Sequence, residues 1–167
     1  MVDTPIQEKN PRARRQAIAA IQEIVSKAER LEHAVMCATG LICGATDAEI
    51  FSGVNIFYDG TGAPTAAERA EYHDEEAACL AIRESIYGLE VRSDWVRPGG
   101  RLEASEYTIL LAGGGPAVRI IGNLENGQPC TARLEYQDWF TPWEELILEE
   151  ERECDALLTF AAQMYFE

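Results

Sequence analysis

The spacing of apolar residues changes at Gly88, and this change constrains the fold more than any other feature of the chain. Before Gly88, two long segments have apolar residues at every third and fourth position, which is typical of helices with one buried face. After Gly88, four short runs have apolar residues at every second position, which is typical of half-buried strands. The alternating residues are Leu89, Val91 and Trp95, then Tyr107, Ile109 and Leu111, then Val118 and Ile120, and finally Ala132, Leu134 and Tyr136. Helices followed by a series of strands predict an α+β fold.

Turn-forming residues separate the four alternating runs. These separators are Pro98-Gly99-Gly100, Gly113-Gly114-Gly115-Pro116 and Asn126-Gly127. An Asn-Gly pair between alternating runs is a strong signal for a β-hairpin, so we expect it to join the last two strands. The pattern predicts a four-stranded antiparallel meander over residues 89–137, with the helices packed on one face. The glycines of residues 113–115 predict a tight turn and not a phosphate-binding loop, because a strand pattern follows them instead of a lysine and a helix.

Helices are predicted over residues 12–38, 65–87 and about 150–165. Pro11 suits the first turn of the first helix, and Thr65 and Glu68 have the spacing of a capping box at the start of the second. Gly88 stands where a glycine usually ends a helix. Residues 1–10 are predicted to form a flexible arm. Residues 11–167 are predicted to form a single α+β domain, since a chain of this length can bury a sizeable core.

The chain is strongly acidic, with 29 acidic and 14 basic residues and a net charge of −15. The field of such a surface repels nucleic acids and anionic membranes and attracts basic partners. No apolar run is long enough to span a membrane, and no targeting segment is evident, so we expect a cytoplasmic protein. We therefore expect no direct binding of nucleic acids or membranes, and we favour a basic host protein or nucleoprotein complex as the partner.

Acidic residues are concentrated in two segments, residues 59–76 and 144–155. The residues predicted to form an acidic binding face are Glu68, Glu71, Asp74, Glu75, Glu76, Glu144, Glu145, Glu149, Glu150 and Glu151. Carboxylates three or four positions apart on a helix repel one another, so keeping them lowers the stability of the helix. Rows of carboxylates on a rigid scaffold can imitate the phosphates of a nucleic acid and block the site that binds them. The alternative is that acidity only keeps the protein soluble.

Aromatic residues cluster where the last predicted strand leaves the sheet. The predicted aromatic patch consists of Tyr136, Trp139, Phe140 and Trp143. Large aromatic side chains are favoured both in cores and as anchors of interfaces. We expect Trp139 to lie in the core, whereas Trp143 fits a buried and an exposed position equally well. An exposed patch would allow the chain to associate with itself, including as a homodimer.

Spacing alone assigns no catalytic or metal-binding residues. The chain has two histidines, His33 and His73, and neither belongs to the Glu-x-x-His pair that di-iron proteins use, because Arg30 and Ala70 stand three positions before them. The five cysteines form no Cys-x-x-Cys pair, and we expect free thiols. We therefore predict no metal, no cofactor and no catalytic residues, and we favour a function other than catalysis. A metal-dependent enzyme that uses helix carboxylates is a further alternative.

Three distinctive motifs occur in the C-terminal part of the chain. They are GGPAVRI at residues 114–120, LEYQDWFTPW at residues 134–143 and LLTF at residues 157–160. In these motifs the chain resembles a group of small bacteriophage and prophage proteins of unknown activity. The resemblance implies that the protein acts in the cytoplasm of a bacterial host, as a counter-defence inhibitor that imitates nucleic acid. A phage structural or assembly protein is the alternative that this resemblance leaves open.

Overall fold

The computed structural model describes residues 10–38 and 73–166. The helices in these ranges are α1 (Pro11–Ala38), α2 (Glu75–Glu84) and α3 (Glu151–Ala161). The strands are β1 (Gly88–Ser93), β2 (Ala104–Ala112), β3 (Ala117–Glu125), β4 (Gln128–Pro129), β5 (Arg133–Gln137) and β6 (Glu144–Glu145). They form a sheet in the order β1-β2-β3-β5-β6 with antiparallel neighbours, and β4 pairs with the end of β3. The predicted α+β fold with an antiparallel sheet is confirmed.

The sheet follows the predicted meander, with two differences near its last strands. Asn126 and Gly127 have positive φ angles of 53° and 76°, as an Asn-Gly hairpin requires, but this turn leads into the short β4 before the chain reaches β5. On its way back the chain passes so close to Gly122 that a Cβ there would lie 1.9 Å from the Thr131 carbonyl oxygen. The second difference is β6, which adds a strand beside β5 where the sequence predicts the end of the sheet.

The helices cover one face of the sheet. α1 packs over β3 and β5, α3 packs over β5, and α2 packs against α1. The strands contribute alternate positions to the core, namely Tyr107, Ile109, Val118, Ile120, Leu134 and Tyr136. The core residues of α1 recur at helical spacing and are Ala13, Ala17, Ile21, Ile24, Ala28, Leu31 and Ala34. In α1, β2, β3 and β5 the two periods therefore decide which side is buried. The first alternating run differs, because Val91 on the edge strand β1 is exposed and Trp95, beyond the end of β1, is fully exposed. Within the described ranges, no helix combines the length and apolar character that crossing a membrane requires.

The start of α1 is held by a cap that the sequence places in a flexible arm. Asn10 is 4% exposed, and its carbonyl accepts a hydrogen bond from the Arg14 N–H at 2.9 Å. Its Nδ2 donates to Glu144 Oε1 at 2.6 Å. Asn10 therefore occupies the N-cap position through its backbone carbonyl, and its side chain joins α1 to β6. The rest of the predicted arm, residues 1–9, lies outside the described residues.

α2 is shorter than the helix predicted over residues 65–87. Asp74 has an extended backbone, and its carboxylate accepts a hydrogen bond from the Ala77 N–H at 2.7 Å, so it is the N-cap and the helix begins at Glu75. The helix ends at Glu84, and Gly88 begins β1 instead of ending a helix. Residues 65–72, including the predicted capping box, lie outside the described residues. α3 spans 11 residues within the predicted 150–165.

Candidate functional site

The N-terminal ends of α2 and α3 both lie beside the C-terminal half of α1. Arg152, in the first turn of α3, forms an ion pair with Glu29 of α1. His73, two residues before α2, contacts His33 near the end of α1. The opposite ends of α2 and α3 line a groove with residues 16–27 of α1. Both helices therefore run antiparallel to α1, and their first turns share one end of the helical layer.

Exposed carboxylates are concentrated at this shared end. We name it the acidic end and define it by Glu75, Glu76, Glu149, Glu150 and Glu151, which are all exposed. Each of them stands in or next to the first turn of a helix, where the positive end of the helix dipole favours negative charge. These members of the predicted acidic face thus lie at the same end of α1, and their union in one binding face stays a prediction.

The other predicted members of the acidic face have different positions. Asp74 lies at the same end of the helices but caps α2. Glu144 is half-buried and accepts hydrogen bonds from Asn10 and, at 3.3 Å, from the Tyr136 hydroxyl, so it holds β6 against α1 and the core. Glu145 is exposed on the edge strand β6. The two members that lie outside the described residues are Glu68 and Glu71.

The sheet face that is turned away from the helices carries arginines in ion pairs. Arg92 on β1 pairs with Glu106 on β2. Arg119 Nη2 and Arg133 Nε both donate to the Glu135 carboxylate, at 2.7 Å and 3.0 Å. Burial acts to raise the pKa of Glu135, but these hydrogen bonds outweigh it and hold the pKa below its ordinary value. These three arginines are therefore paired on the side of the molecule opposite to the helices.

The four predicted aromatic residues do not form one patch. Tyr136 is buried, and Trp143 is half-buried beneath an arginine guanidinium 4.0 Å from its ring centroid. Trp139 is 60% exposed, so the prediction that it lies in the core is wrong. The turn after β5 carries it past the edge of the core, where its indole covers Gly115 so closely that a Cβ there would lie 2.3 Å from the ring. Phe140 follows it and is fully exposed, with a φ angle of 59°.

Three side chains to which the sequence analysis assigns no metal meet near the acidic end. His33 Nε2 lies 3.1 Å from His73 Nδ1, and Cys37 Sγ lies 3.4 Å from the first of these nitrogens and 3.6 Å from the second. We name these residues the His-Cys cluster. All three are half-buried. Burial, with a smaller contribution from His73, lowers the pKa of His33 and favours its neutral ring, which can act as a ligand.

The sequence contains part of the signal for this cluster. His33 and Cys37 are four positions apart, which places both on one face of α1. The prediction that no metal-binding residues can be assigned considers only Glu-x-x-His and Cys-x-x-Cys spacings, and so it misses this pair. No local spacing indicates that His73 joins them, because its position depends on how the chain packs α2 against α1.

Comparison of the chain with protein-family models, with curated proteins and with solved structures finds no match. The resemblance of the C-terminal motifs to phage proteins stays a prediction. The functional argument therefore depends on the geometry of this chain alone.

Proposed function

We propose that the protein binds a basic partner through the acidic end of its helices. One observation carries the proposal: two acidic segments that are far apart in the sequence present exposed carboxylates at the same end of α1. The Arg152–Glu29 ion pair and the contact between His33 and His73 hold these segments in place. Charges held in place by packed helices lose little conformational freedom when a partner binds, which favours affinity.

The distribution of basic residues supports the same surface. Arg92, Arg119 and Arg133 lie on the opposite side of the sheet and are already paired with carboxylates. On the helical side, the exposed Arg12, Arg14 and Arg15 stand at the start of α1, which is the end opposite to the acidic end. A partner that presents lysines and arginines is therefore attracted to the acidic end and not to the start of α1. Such an association is fast at low ionic strength and weakens as salt screens the exposed charges.

The partner class that suits this chemistry is a host protein or nucleoprotein complex that binds nucleic acid. A groove that binds phosphates presents lysines and arginines. The carboxylates at the ends of two packed helices can bind the same basic side chains and so compete with the phosphates. The protein would then act as an inhibitor that excludes DNA or RNA from the groove. A phage counter-defence protein that blocks a host defence complex is the form of this proposal that the C-terminal motifs favour.

The test uses two variants with the same change in charge. The first replaces four carboxylates of the acidic end together and is Glu75→Gln, Glu76→Gln, Glu149→Gln and Glu150→Gln. The control replaces four exposed carboxylates elsewhere and is Glu84→Gln, Glu90→Gln, Asp94→Asn and Glu125→Gln. Both variants should keep the fold, because exposed substitutions usually change stability by less than about 0.5 kcal/mol.

Each immobilised protein is used to capture proteins from a bacterial lysate, and the captured proteins are eluted with a salt gradient. We expect the parent and the control to retain the same basic protein, duplex DNA to displace it, and the first variant to release it at much lower salt. If the first variant retains that protein as tightly as the parent at low salt, the acidic end is not the binding surface. If duplex DNA does not displace the protein, imitation of DNA is refuted, and failure of RNA to displace it refutes imitation of RNA.

Self-association is a second candidate function, and the turn after β5 favours it. Trp139 and Phe140 are adjacent and largely exposed, with ring centroids 6.1 Å apart. Exposed aromatic surface is a common anchor of protein interfaces. Sedimentation of the parent and of a Trp139→Ala, Phe140→Ser variant tests this candidate. It predicts a dimer that the variant loses, and a parent that stays monomeric at all concentrations would eliminate it.

A further inference from the structure

We propose that His33, Cys37 and His73 bind a transition-metal ion of the zinc class. The ligand atoms are His33 Nε2, His73 Nδ1 and the Sγ of the Cys37 thiolate. This inference is independent of the proposed function, because it concerns other side chains and another kind of ligand.

The convergence of the three side chains is the first argument. The chain contains two histidines, 40 positions apart, and their ring nitrogens nevertheless meet. Cys37 follows His33 by one helical turn, so α1 presents both side chains to His73, which stands just before α2. Within residues 10–38 and 73–166, this is the group in which three possible ligand atoms lie within 4.8 Å of one another.

The dimensions of the cluster are the second argument. Zinc is usually bound tetrahedrally, with Zn–N distances of about 2.0–2.1 Å and Zn–S distances of about 2.3 Å. A tetrahedron with these bonds separates two nitrogens by about 3.3 Å and a nitrogen from a sulfur by about 3.6 Å. The observed separations are 3.1 Å between the nitrogens and 3.4 Å and 3.6 Å between the nitrogens and the sulfur. The three atoms are thus spaced as three ligands of one ion.

Hydrogen bonding alone explains this triangle poorly. A ring nitrogen of histidine carries either one proton or one lone pair, which lies in the plane of the ring. Each nitrogen of the cluster has two neighbours at contact distance, and one proton or lone pair cannot point at both. A cation bound between the three atoms would accept a lone pair from each nitrogen and from the thiolate at once. The geometry therefore favours a shared ion over a set of pairwise hydrogen bonds.

The donor set selects the class of ion. Two imidazoles and one thiolate suit zinc and its neighbours among the divalent transition metals, whereas magnesium and calcium prefer oxygen ligands. The thiolate also disfavours hard ions. We therefore expect Zn²⁺ and Co²⁺ to bind, and Mg²⁺ and Ca²⁺ not to compete at millimolar concentration.

The electrostatic surroundings also favour a cation. Cys37 lies in the last turn of α1, at the negative end of that helix dipole, whereas His73 stands before α2 at a positive end, so the two dipoles oppose each other and the flanking carboxylates decide the sign. Glu32 directly precedes His33, and Asp74 directly follows His73, so carboxylates flank the site along the chain. Negative charge around a site raises the local concentration of cations and stabilises the bound form.

A bound ion would also hold α2 in position. In α2, Ala78 and Ile82 are the buried residues, so few apolar contacts dock this helix on α1. Coordination of His73 would join the start of α2 to the end of α1, across the 35 residues between Cys37 and His73. Because the ion binds the folded arrangement, its binding free energy adds to the stability of the fold.

The direct test is titration of the chelator-treated full chain with Co²⁺, followed by displacement with Zn²⁺. We expect one Co²⁺ per chain, with the d–d bands of a four-coordinate ion that has solvent as its fourth ligand, and with a charge-transfer band that reports a cobalt–thiolate bond. We also expect Zn²⁺ to bleach this spectrum and to raise the melting temperature, while Mg²⁺ does neither. A titration that shows no saturable binding of Co²⁺ or Zn²⁺ would overturn the proposal without any variant.

Single substitutions then identify the ligands. Cys37→Ser should remove the charge-transfer band, and His73→Ala should weaken binding by more than about 100-fold, since the loss of even an outer partner of a metal ligand costs about 10–100-fold. The matched controls are Cys79→Ser, which replaces another half-buried cysteine, and Cys154→Ser, which replaces an exposed one. Circular dichroism of each metal-free variant shows that the fold is kept. If the controls lose the band and Cys37→Ser keeps it, the ion binds elsewhere and the assignment is wrong.

Discussion

The chain passes close to Gly122 at residue Thr131, so the loss of stability caused by a substitution of Gly122 can be worked out from the structure. In Gly122→Ala the new Cβ would lie 1.9 Å from the Thr131 carbonyl oxygen, whereas Cβ atoms in proteins essentially never approach a heavy atom closer than 3.0 Å. The backbone at residue 131 must therefore move by about 1 Å, because a carbonyl cannot rotate away as a flexible side chain can.

Such a movement breaks hydrogen bonds that hold the crossing. The buried Tyr107 hydroxyl donates to the Thr131 carbonyl at 2.8 Å, and the Asn123 N–H donates to the Thr131 hydroxyl at 2.9 Å. Each lost bond costs about 0.5–1.5 kcal/mol, and a buried hydroxyl without a partner costs about 1–3 kcal/mol. We therefore expect Gly122→Ala to lower the free energy of unfolding by about 3–5 kcal/mol. This corresponds to a fall in melting temperature of about 10 °C for a chain of this length.

Urea unfolding followed by circular dichroism measures this loss, with Gly88→Ala as the matched control. A Cβ at Gly88 would meet its nearest atom, the Leu110 Cβ, at 4.0 Å, so the control should stay within about 0.5 kcal/mol of the parent. Tyr107→Phe removes the hydroxyl whose hydrogen bond Gly122→Ala breaks. The double variant should therefore lose less stability than the sum of the losses in the two single variants. If Gly122→Ala unfolds at the same urea concentration as Gly88→Ala, the close approach does not limit stability and the reasoning fails.

Substitutions at three further positions test the ion pairs of Glu135, the exposed turn after β5 and the cap of α2. Glu135→Gln should cost about 1–2 kcal/mol at pH 7. The folded-state pKa of Glu135 is lowered. The contribution of its carboxylate to the free energy of unfolding is therefore complete above the unfolded carboxyl pKa of about 4.3 and is lost as the pH falls through the folded pKa. The unfolding curves of the parent and the variant should consequently converge in acid. Phe140→Gly should raise the melting temperature by about 2–4 °C, because glycine adopts a φ of 59° without strain and the fully exposed ring loses only its contact with the Trp139 ring. A fall in melting temperature would contradict this. Asp74→Ala should cost about 1 kcal/mol in thermal unfolding and Asp74→Asn much less, because asparagine also caps helices; equal losses would show that the charge and not the cap matters.

The elements of the fold could be predicted because their signals are local. The alternation of Leu134 and Tyr136 with charged neighbours indicates both a strand and its buried face, and the structure buries these two residues. Asn126 and Gly127 indicate a turn because few other residue pairs adopt two positive φ angles at low cost. Each signal depends on residues that are a few positions apart, so one segment of sequence is enough to interpret it.

Local signals fail where distant parts of the chain decide an environment. Asn10 is buried because Glu144, 134 positions away, lies against it, and nothing near Asn10 in the sequence indicates this. Trp139 is a large aromatic residue of a type common in cores, but the turn after β5 carries it past the edge of the sheet. The sequence also does not show where α2 begins. The apolar period continues through the turn before Asp74, so it gives no sign that Asp74 caps the helix.

The sequence by itself determined the class of fold, the buried faces of β2, β3 and β5 and the large negative charge, because period and charge are properties that sum over neighbouring residues. Only the tertiary structure decided that the carboxylates of two distant segments share one end of α1, and that His73 meets His33 and Cys37. The sequence shows the pairing of His33 and Cys37 on one helical face, but the third side chain arrives through the antiparallel packing of α2 along α1. Distances between residues remote in the chain depend on the directions in which helices and strands pack, and those directions are set by the core as a whole.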